Sequence, residues 1–289
     1  MRPIPVFVNA GAGSADAAAA AVAADPRFRL RRVPAGELLP AVAAALDDGE
    51  DPVVVAGGDG TLAAVAALAV ERGATLGVVP GGTLNHFARA HGLPSDPAAA
   101  LETAVGGVPR AVDVGYVNGR LFLNTSAVGA YPVFVRRRER LERRLGYRAA
   151  SVAAAVWTAW RLPRLSVRLE AAGRSRELAG PLVFVGVGER ELHARGLGLP
   201  ERGGARGLHV LAVRGSSRLR LLGAAVRALA PGARPWSRGG RVESLVVQRC
   251  EITLPRGHGR VALDGETAYI RGTLRYELAR DALRVMMPE

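Results

Sequence analysis

Five residues that could hold a phosphate group lie between an apolar run and an alanine-rich stretch. Residues 53–68 read VVVAGGDGTLAAVAAL, so that Gly-Gly-Asp-Gly-Thr at 57–61 separates the two halves. Asp-Gly between apolar runs is also a hairpin signal, but a hairpin needs a second strand after Thr61. Strong helix formers follow instead, at helical spacing, with Gly73 past the end. The segment therefore predicts a strand, a glycine loop and a helix.

A glycine turn that opens a helix offers free backbone N–H groups and a positive helix end to a phosphate. Asp59 would lie among these amides, where its carboxylate suits the Mg²⁺ of a nucleotide better than the phosphate itself. For this loop alone, close packing of strand and helix is the alternative reason for glycine. Two further glycine loops, residues 9–13 (NAGAG) and residues 81–85 (GGTLN), favour a ligand because packing alone explains three such loops poorly.

The elements around these loops indicate a parallel sheet. Four strand–helix units fill the first third of the chain, and strands alternating with helices of this length form parallel sheets with crossovers. Strands predicted at 6–8, 53–56 and 77–79 end in the three loops, which would meet at the carboxyl edge of the sheet, where open α/β sheets bind ligands.

The pattern changes near Ala111, where alternation begins and Asn118-Gly119 separates two apolar runs as a hairpin turn. We therefore predict two domains: an α/β domain with a doubly wound parallel sheet over residues 1–111, and a β-rich domain over residues 112–289. The second is expected to be an antiparallel sandwich, whose last residues could pack back on the first domain.

Composition excludes several classes of protein. The 289-residue chain is 49% apolar and has a net charge of +13, and all 39 of its basic residues are arginine. Without lysine there is no Schiff base, no Walker lysine and no protein-kinase β3 lysine. No apolar run approaches the roughly 18 residues of a membrane span, and the lone Cys250 excludes an internal disulfide framework. The five histidines show no metal-ligand spacing, which argues against a zinc site. Without a predicted signal peptide or membrane span, the chain is expected to be a cytoplasmic globular protein, and its net charge predicts a surface that attracts anions.

Four motifs resemble the diacylglycerol kinase catalytic-domain family, which includes bacterial lipid kinases and sphingosine kinases. They are GGDGT (57–61), PGGTLNHFAR (80–89), VDVGYVNGRLFLN (112–124) and LDGE (263–266), in the family's order. GGDGT alone is shared with NAD kinases and 6-phosphofructokinases. The Asn-x-Phe-Ala-Arg segment and the late Asp-Gly-Glu separate the lipid kinases from these.

The resemblance implies an ATP-dependent kinase that acts on a lipid hydroxyl, with ATP and Mg²⁺ as cofactors. It also implies that the β-rich domain over residues 112–289 binds the lipid substrate. It implies Glu266 and Asp264 as base or metal-binding carboxylates, with Asp59 as a catalytic residue and metal ligand. The nucleotide contacts that it implies are Asn9, Ala10, Gly11, Ala12, Gly13, Gly57, Gly58, Asp59, Gly60, Thr61, Leu62, Ala63, Gly82, Thr83 and Asn85.

Several positions depart from the family pattern. His86 stands where an acid is common, and Ala63-Ala64 replace an Asn-Glu pair. In the second domain, an acidic segment that holds a structural magnesium in several members reads Ala-Arg-Gly-Leu-His-Val at 205–210. Because such side chains bind a hard cation poorly, this second Mg²⁺ is predicted to be absent.

An arginine-rich segment raises the question of membrane contact. Residues 133–148 hold seven arginines against two glutamates, and Trp157 and Trp160 follow beside Arg161 and Arg164. Basic residues next to interfacial tryptophans suit peripheral docking on an anionic leaflet. A solvated helix with its tryptophans in the core is the equal alternative. Nucleic acid is not expected, because no recognition element accompanies the charge.

The predicted function is an ATP-dependent lipid kinase for diacylglycerol or a related lipid. A NAD kinase-like enzyme and a catalytically silent lipid- or nucleotide-binding module remain the alternatives. The acids that are missing at Ala64, His86, Ala205 and Arg206 favour the silent module, whereas the retained Asp59, Asp264 and Glu266 favour the enzyme. The sequence leaves the oligomeric state open.

Overall fold

The structure, a computed structural model, describes most of the chain. The described residues are 3–160, 165–171, 174–180, 182–193, 196–201, 203–213, 242–254 and 257–289. The chain divides into two compact units: Met1–Val114 together with Ala279–Glu289, and Gly115–Leu278.

Strands and helices alternate in the first unit. They are β1 (Ile4–Asn9), α1 (Ala15–Ala23), β2 (Phe28–Val33), α2 (Ala35–Asp47), β3 (Val53–Gly57), α3 (Asp59–Arg72), β4 (Thr75–Pro80), α4 (His86–Ala90) and α5 (Pro97–Gly106). The four strands pair in parallel in the order β2-β1-β3-β4. Each returns to the sheet through a helical crossover, as parallel strands require.

Helices cover the sheet because its central strands are apolar on both faces. In β1, Val6, Phe7 and Val8 are all buried. Val6 and Val8 belong to a core cluster with residues of α1 and α5, so Phe7, which alternates with them, points to the opposite face. Helices α2 and α3 pack against each other. Gly73 ends α3 in the left-handed conformation (φ 63°) that favours glycine.

Among its described residues the second unit is rich in strands and holds one helical segment, which is interrupted by non-helical geometry at Gly146. The elements that follow α5 are β5 (Val108–Val117), β6 (Arg120–Phe122), β7 (Thr125–Gly129), α6 (Ala130–Trp160), β8 (Leu165–Ala171), β9 (Arg174–Gly180), β10 (Leu182–Val187), β11 (Arg190–His193), β12 (Gly196–Pro200), β13 (Leu208–Val213), β14 (Val242–Val247), β15 (Arg249–Thr253), β16 (His258–Leu263), β17 (Glu266–Arg271) and β18 (Leu274–Met287).

The strands of the second unit form a sandwich of two antiparallel sheets. One sheet has the order β14-β13-β10-β7-β16-β17; in the other, β15 lies between β8 and the start of β18. A single core cluster joins them, with Val128, Val185 and Leu208 from the first sheet and Ile252 and Tyr276 from the second.

The two-residue turn Asn118-Gly119 connects β5 and β6 with positive φ at both residues (46° and 76°). Asn and Gly tolerate this conformation best, so the predicted hairpin turn is confirmed. The end of β18 pairs in parallel with β4 in the first unit, through Arg284 and Val285. The predicted fold class, a doubly wound parallel sheet with an antiparallel sandwich, is confirmed.

No helix in the described ranges has both the length and the apolar character needed to cross a bilayer.

Candidate active site

The three glycine loops that follow β1, β3 and β4 lie against one another. The Gly81 N–H donates to the Gly57 carbonyl at 2.8 Å, and the Ser14 N–H donates to the Gly81 carbonyl at 3.3 Å. The Asn9 Nδ2 group donates to Thr61 Oγ1 at 2.8 Å. The structure therefore brings together the loops 9–13, 57–61 and 81–85 that the sequence singled out.

Close packing explains glycine at the centre of this arrangement. A Cβ atom added to Gly82 would lie 2.7 Å from the Gly58 Cα atom, and one added to Gly81 would lie 3.1 Å from the Gly57 nitrogen. In contrast, a Cβ atom at Gly11 or Gly13 would meet nothing closer than 3.5 Å. Packing thus accounts for glycine at positions 58, 81 and 82, so phosphate binding would depend on the backbone amides of these loops.

Helix α3 begins in this loop cluster without a side-chain cap. Its N-cap residue, Gly58, is extended (φ −84°) and contributes no side-chain hydrogen bond. The first N–H groups of an α-helix have no acceptor within the helix, which leaves those of Asp59, Gly60 and Thr61 without an intrahelical partner. With the helix dipole, they form an end suited to an anion.

The Asp59 carboxylate accepts hydrogen bonds from the start of α4, which directly follows the third loop. Oδ2 accepts from the His86 N–H and Oδ1 from the Phe87 N–H, both at 3.1 Å, so Asp59 caps the first turn of α4 from 27 residues away. Asn85, which precedes α4, is left-handed (φ 47°), and its side chain exchanges two 2.8 Å hydrogen bonds with Gly82. Because a carboxylate has about four acceptor positions, each Asp59 oxygen keeps one for another ligand.

The remaining predicted contacts differ in exposure. Ala10, Gly11, Gly13 and Thr83 are exposed, Ala12 and Ala63 are half-buried, and Leu62 is fully buried in the core. Leu62 can therefore offer a ligand only its backbone.

The first unit fits a nucleotide-bound Mg²⁺ better than a metal held by protein alone. The described residues contain no group of three His, Cys, Asp or Glu side chains that could hold a metal. Mg²⁺ usually binds through one or two carboxylates together with substrate phosphates and waters. Asp59, with two acceptor positions left beside the open end of α3, matches that chemistry.

The other predicted acids lie at the turn between β16 and β17 in the second unit. Asp264 and Gly265 form this turn with positive φ (47° and 93°). The Asp264 carboxylate accepts three backbone N–H groups, from Leu123 at 2.7 Å, Asn124 at 2.8 Å and Thr125 at 3.0 Å. Asp264 therefore fixes the connection between β6 and β7.

Glu266, the first residue of β17, is exposed. Its side chain forms no hydrogen bond or ion pair with other described residues. Of the three predicted acids, Glu266 alone has a carboxylate that is not engaged with the backbone.

Sequence reasoning missed a buried polar network near this turn. Arg190 is only 4% exposed, and its guanidinium donates to the carbonyls of Val187 and Gly198 at 3.0 Å. The backbone N–H of Arg190 donates to His209 Nδ1 at 2.9 Å, and His209 Nε2 lies 2.7 Å from Ser244 Oγ. Burial lowers the pKa of Arg190 to about 10, and the charge of Asp264 opposes that shift.

His209 falls in the segment 205–210 that was predicted to lack a structural Mg²⁺, and that absence stays a prediction. The buried Arg190 guanidinium places a positive charge close by. The sequence signal for this network is a histidine within an apolar run, because residues 208–212 are all buried and His209 lies on the face opposite Leu208 and Val210.

Fold and site together define the class of protein: an α/β unit whose glycine loops present helix amides at the carboxyl edge of a parallel sheet, joined to an antiparallel sandwich. Residues 3–117 match the family model described as "Diacylglycerol kinase catalytic domain". The matched residues make up less than half of the chain, and over them the chain is similar to the diacylglycerol kinase catalytic-domain family.

Curated relatives are similar to part of the chain. A Pseudomonas aeruginosa protein named "Probable lipid kinase YegS-like" is 52% identical over 87 residues, which are 29% of this chain and 28% of that protein. The "Diacylglycerol kinase" of Bacillus subtilis (strain 168) is 46% identical over 82 residues, 27% of either chain. The matched segments thus span less than a third of the relatives' own length.

Solved structures extend the likeness in fold to almost the whole chain. A structure from Bacillus anthracis str. Sterne, described as a diacylglycerol kinase, superposes with a TM-score of 0.68 at 18% identity and covers 99% of this chain and 96% of that one. Another structure from the same strain gives 0.74 at 20% identity, covering 99% and 97%.

Proposed function

We propose that this chain is a lipid kinase that transfers the γ-phosphate of ATP to the hydroxyl of diacylglycerol or a related lipid. The observation that carries the proposal is the convergence of three glycine loops on the uncapped start of α3, within the segment that matches the kinase family. The named lipid kinases among the relatives support the choice of acceptor.

In this proposal the loops of the first unit hold the phosphates of ATP. The N–H groups of Asp59, Gly60 and Thr61 donate to phosphate oxygens, and the dipole of α3 adds favourable potential. The exposed Gly11 and Gly13 have room on their surface, so a ligand can approach the backbone of the first loop closely. Phosphoryl transfer depends mostly on such positioning and charge stabilisation.

Asp59 is the residue that would hold Mg²⁺. When bound, Mg²⁺ neutralises the charge of the phosphate oxygens and orients them. Asp59 keeps its hydrogen bonds to His86 and Phe87 in this role, because each oxygen has a second acceptor position. Its attachment to the start of α4 fixes the direction of the carboxylate.

Glu266 takes the proton of the lipid hydroxyl. A lipid hydroxyl is about as weak an acid as water, whose pKa is roughly 15.7, so a base is needed as its oxygen bonds to phosphorus. The bond from phosphorus to the β–γ bridging oxygen breaks and ADP leaves with that electron pair. A positioned carboxylate contributes roughly 10²- to 10⁴-fold to such a step.

The test is transfer of label from γ-labelled ATP with Mg²⁺ into a panel of lipids in mixed micelles, with NAD as a parallel acceptor. We expect label in one class of lipid and none in NAD. Glu266→Gln should lose this transfer, and its matched control is Glu277→Gln, which neutralises another exposed carboxylate of the second unit. Label in NAD alone would replace the proposal with a NAD kinase, and ATP binding without transfer to any acceptor would replace it with a silent module.

A further inference from the structure

In the second half of helix α6, the large apolar side chains lie on the exposed face, where a helix in water normally carries polar residues. Helical geometry is interrupted at Gly146 (φ 70°), which separates a basic first half from residues 147–160. Residues 149–160 read AASVAAAVWTAW and contain no charged residue. A surface helix of a globular protein normally carries polar or charged residues on its exposed face.

The two faces of this segment are clearly separated. Small residues make up the buried face: Ala150, Ser151, Ala154, Ala155 and Thr158 are all less than 9% exposed. The large apolar residues lie opposite, with Val152 45%, Val156 42% and Trp160 74% exposed. Since these follow one another at intervals of four residues, they form one stripe along the helix. We name Val152, Val156 and Trp160 the apolar stripe.

The first half of α6 carries exposed positive charge. Arg140 and Arg144 are exposed and form no ion pair with other described residues. The charges of Arg140 and Arg260 lower the pKa of Arg136, which shows that these arginines crowd one another. The Arg137 guanidinium lies 5.0 Å from the centre of the Trp157 ring and connects the two halves of the helix.

We propose that the apolar stripe docks on a bilayer that contains anionic lipid, with the arginines of the first half of α6 facing the head groups. An amphipathic helix lies in the interface with its apolar side chains among the acyl chains and its cationic residues near anionic heads. The segment 149–160 is too short to span the hydrocarbon, because 12 helical residues reach only about 18 Å. It therefore lies on the bilayer.

The positive charge of the arginines in α6 favours a bilayer over a second copy of the chain as the partner of the apolar stripe. An isologous contact through the apolar stripe would bring the same arginine-rich segments of two copies together, and like charges oppose that arrangement. Anionic head groups attract them instead. The proposal rests on the lipid-kinase function in one respect: such an enzyme has to reach a substrate that is dissolved in a membrane.

The experiment is sedimentation of the full-length protein with phosphatidylcholine vesicles, with and without phosphatidylglycerol, in the absence of ATP. We expect binding that requires phosphatidylglycerol and weakens with salt, and the double variant Val156→Ser/Trp160→Ser should lower the partition coefficient by about tenfold or more. Leu39→Ser is the matched control, since Leu39 is a similarly exposed apolar residue (40%) in helix α2 of the first unit.

Equal sedimentation of the double variant and the unchanged protein with vesicles would overturn the docking proposal. It would also be overturned if the unchanged protein does not bind vesicles but forms dimers in light scattering, and the double variant does not form these dimers. Phosphoryl transfer to a lipid dispersed in detergent is measured on the same samples. Loss of vesicle binding with transfer retained separates docking from catalysis, and vesicle binding without transfer would overturn the proposed function alone.

Discussion

Asp59, at the start of α3 in the first unit, and Asp264, at the turn between β16 and β17 in the second, both accept backbone N–H groups, but they accept different numbers of them. Each accepts N–H groups from a distant segment: Asp59 from two residues that open α4, and Asp264 from three consecutive residues between β6 and β7. Glu266, two residues after Asp264, is exposed and engages none.

The difference shows that an acid in a motif can be structural, chemical or both. A carboxylate has about four acceptor positions. Asp264 uses three of them on the backbone, which leaves it suited to holding a loop. Asp59 uses two and keeps two, so it can hold a loop and a cation. Glu266 keeps all of its positions, which is consistent with the role of base that we propose for it.

Replacement of Asp264 should produce the largest change in stability. Asp264→Gly keeps the positive φ without strain but leaves the N–H groups of Leu123, Asn124 and Thr125 without their acceptor. Hydrogen bonds to charged groups contribute about 1.5–3 kcal/mol each, partly recovered by water, so we expect the free energy of unfolding to fall by about 4 kcal/mol.

Urea denaturation of Asp264→Gly and Asp264→Asn measures this change. The Asn variant also tolerates the left-handed conformation and keeps one acceptor oxygen, so its loss should be about half as large. A Gly variant as stable as the unchanged protein would show that Asp264 does not fix this loop.

Replacement of Asp59 should separate its two roles. Asp59→Asn keeps an oxygen that can accept from the start of α4 but lacks the charge that favours Mg²⁺. We expect turnover to fall by about 10²-fold at saturating ATP, with little change in melting temperature. Steady-state label transfer and calorimetric melting give the two quantities. Near-normal turnover at any Mg²⁺ concentration would contradict the metal role.

Helices and turns were predictable from the sequence where their conformation depends on residues that are adjacent in the chain. The helix formers after Thr61 identified the start of α3, and Asn118-Gly119 identified a hairpin, because both depend on the conformations that adjacent residues prefer. The fold class followed from the alternation of such elements.

Long-range partners could not be predicted. Asp59 meets residues 27 and 28 positions away, and Asp264 meets residues about 140 positions away. Nothing in local periodicity shows that these carboxylates accept backbone N–H groups. The burial of Arg190 was also beyond prediction, because arginine is ordinarily exposed and its acceptors here are main-chain carbonyls with no sequence signature.

Substitution of a loop glycine tests how closely the second and third loops approach. In Gly82→Ala the new Cβ atom would lie 2.7 Å from the Gly58 Cα atom, and backbone cannot yield as a side chain can. We expect a loss of about 2 kcal/mol in the free energy of unfolding and weaker ATP binding. Calorimetric unfolding and isothermal titration with ATP measure these.

Gly36→Ala is the control for Gly82→Ala. Gly36 lies in α2 with open space around its Cβ position, so alanine there should stabilise the protein by up to about 1 kcal/mol. Equal stability of the two variants would mean that the loops separate more easily than the contact suggests.

The smallest effect concerns the pH dependence of the second unit. Burial lowers the pKa of His209, with the charge of Glu189 opposing and that of Arg190 adding to the shift. Between the lowered pKa of the folded protein and the ordinary histidine pKa of about 6.5, the unfolded chain therefore binds more protons than the folded one. The contribution of His209 to stability is complete above about pH 6.5 and decreases as the pH falls below that value.

Melting curves of the unchanged protein and His209→Gln at two pH values, one on each side of that pKa, test this assignment. The decrease in melting temperature on acidification should be smaller in the variant, by about 2 °C. Identical decreases in the two proteins would exclude His209 as the group responsible.

The division of roles among the acids is tested most directly by Glu266→Gln, through label transfer to lipid and ATP binding on the same preparation. We expect turnover to fall by at least about 10²-fold while ATP affinity and the melting temperature stay unchanged, because the side chain is exposed and holds no backbone group. Turnover close to that of the unchanged protein would contradict the assignment of Glu266 as the base.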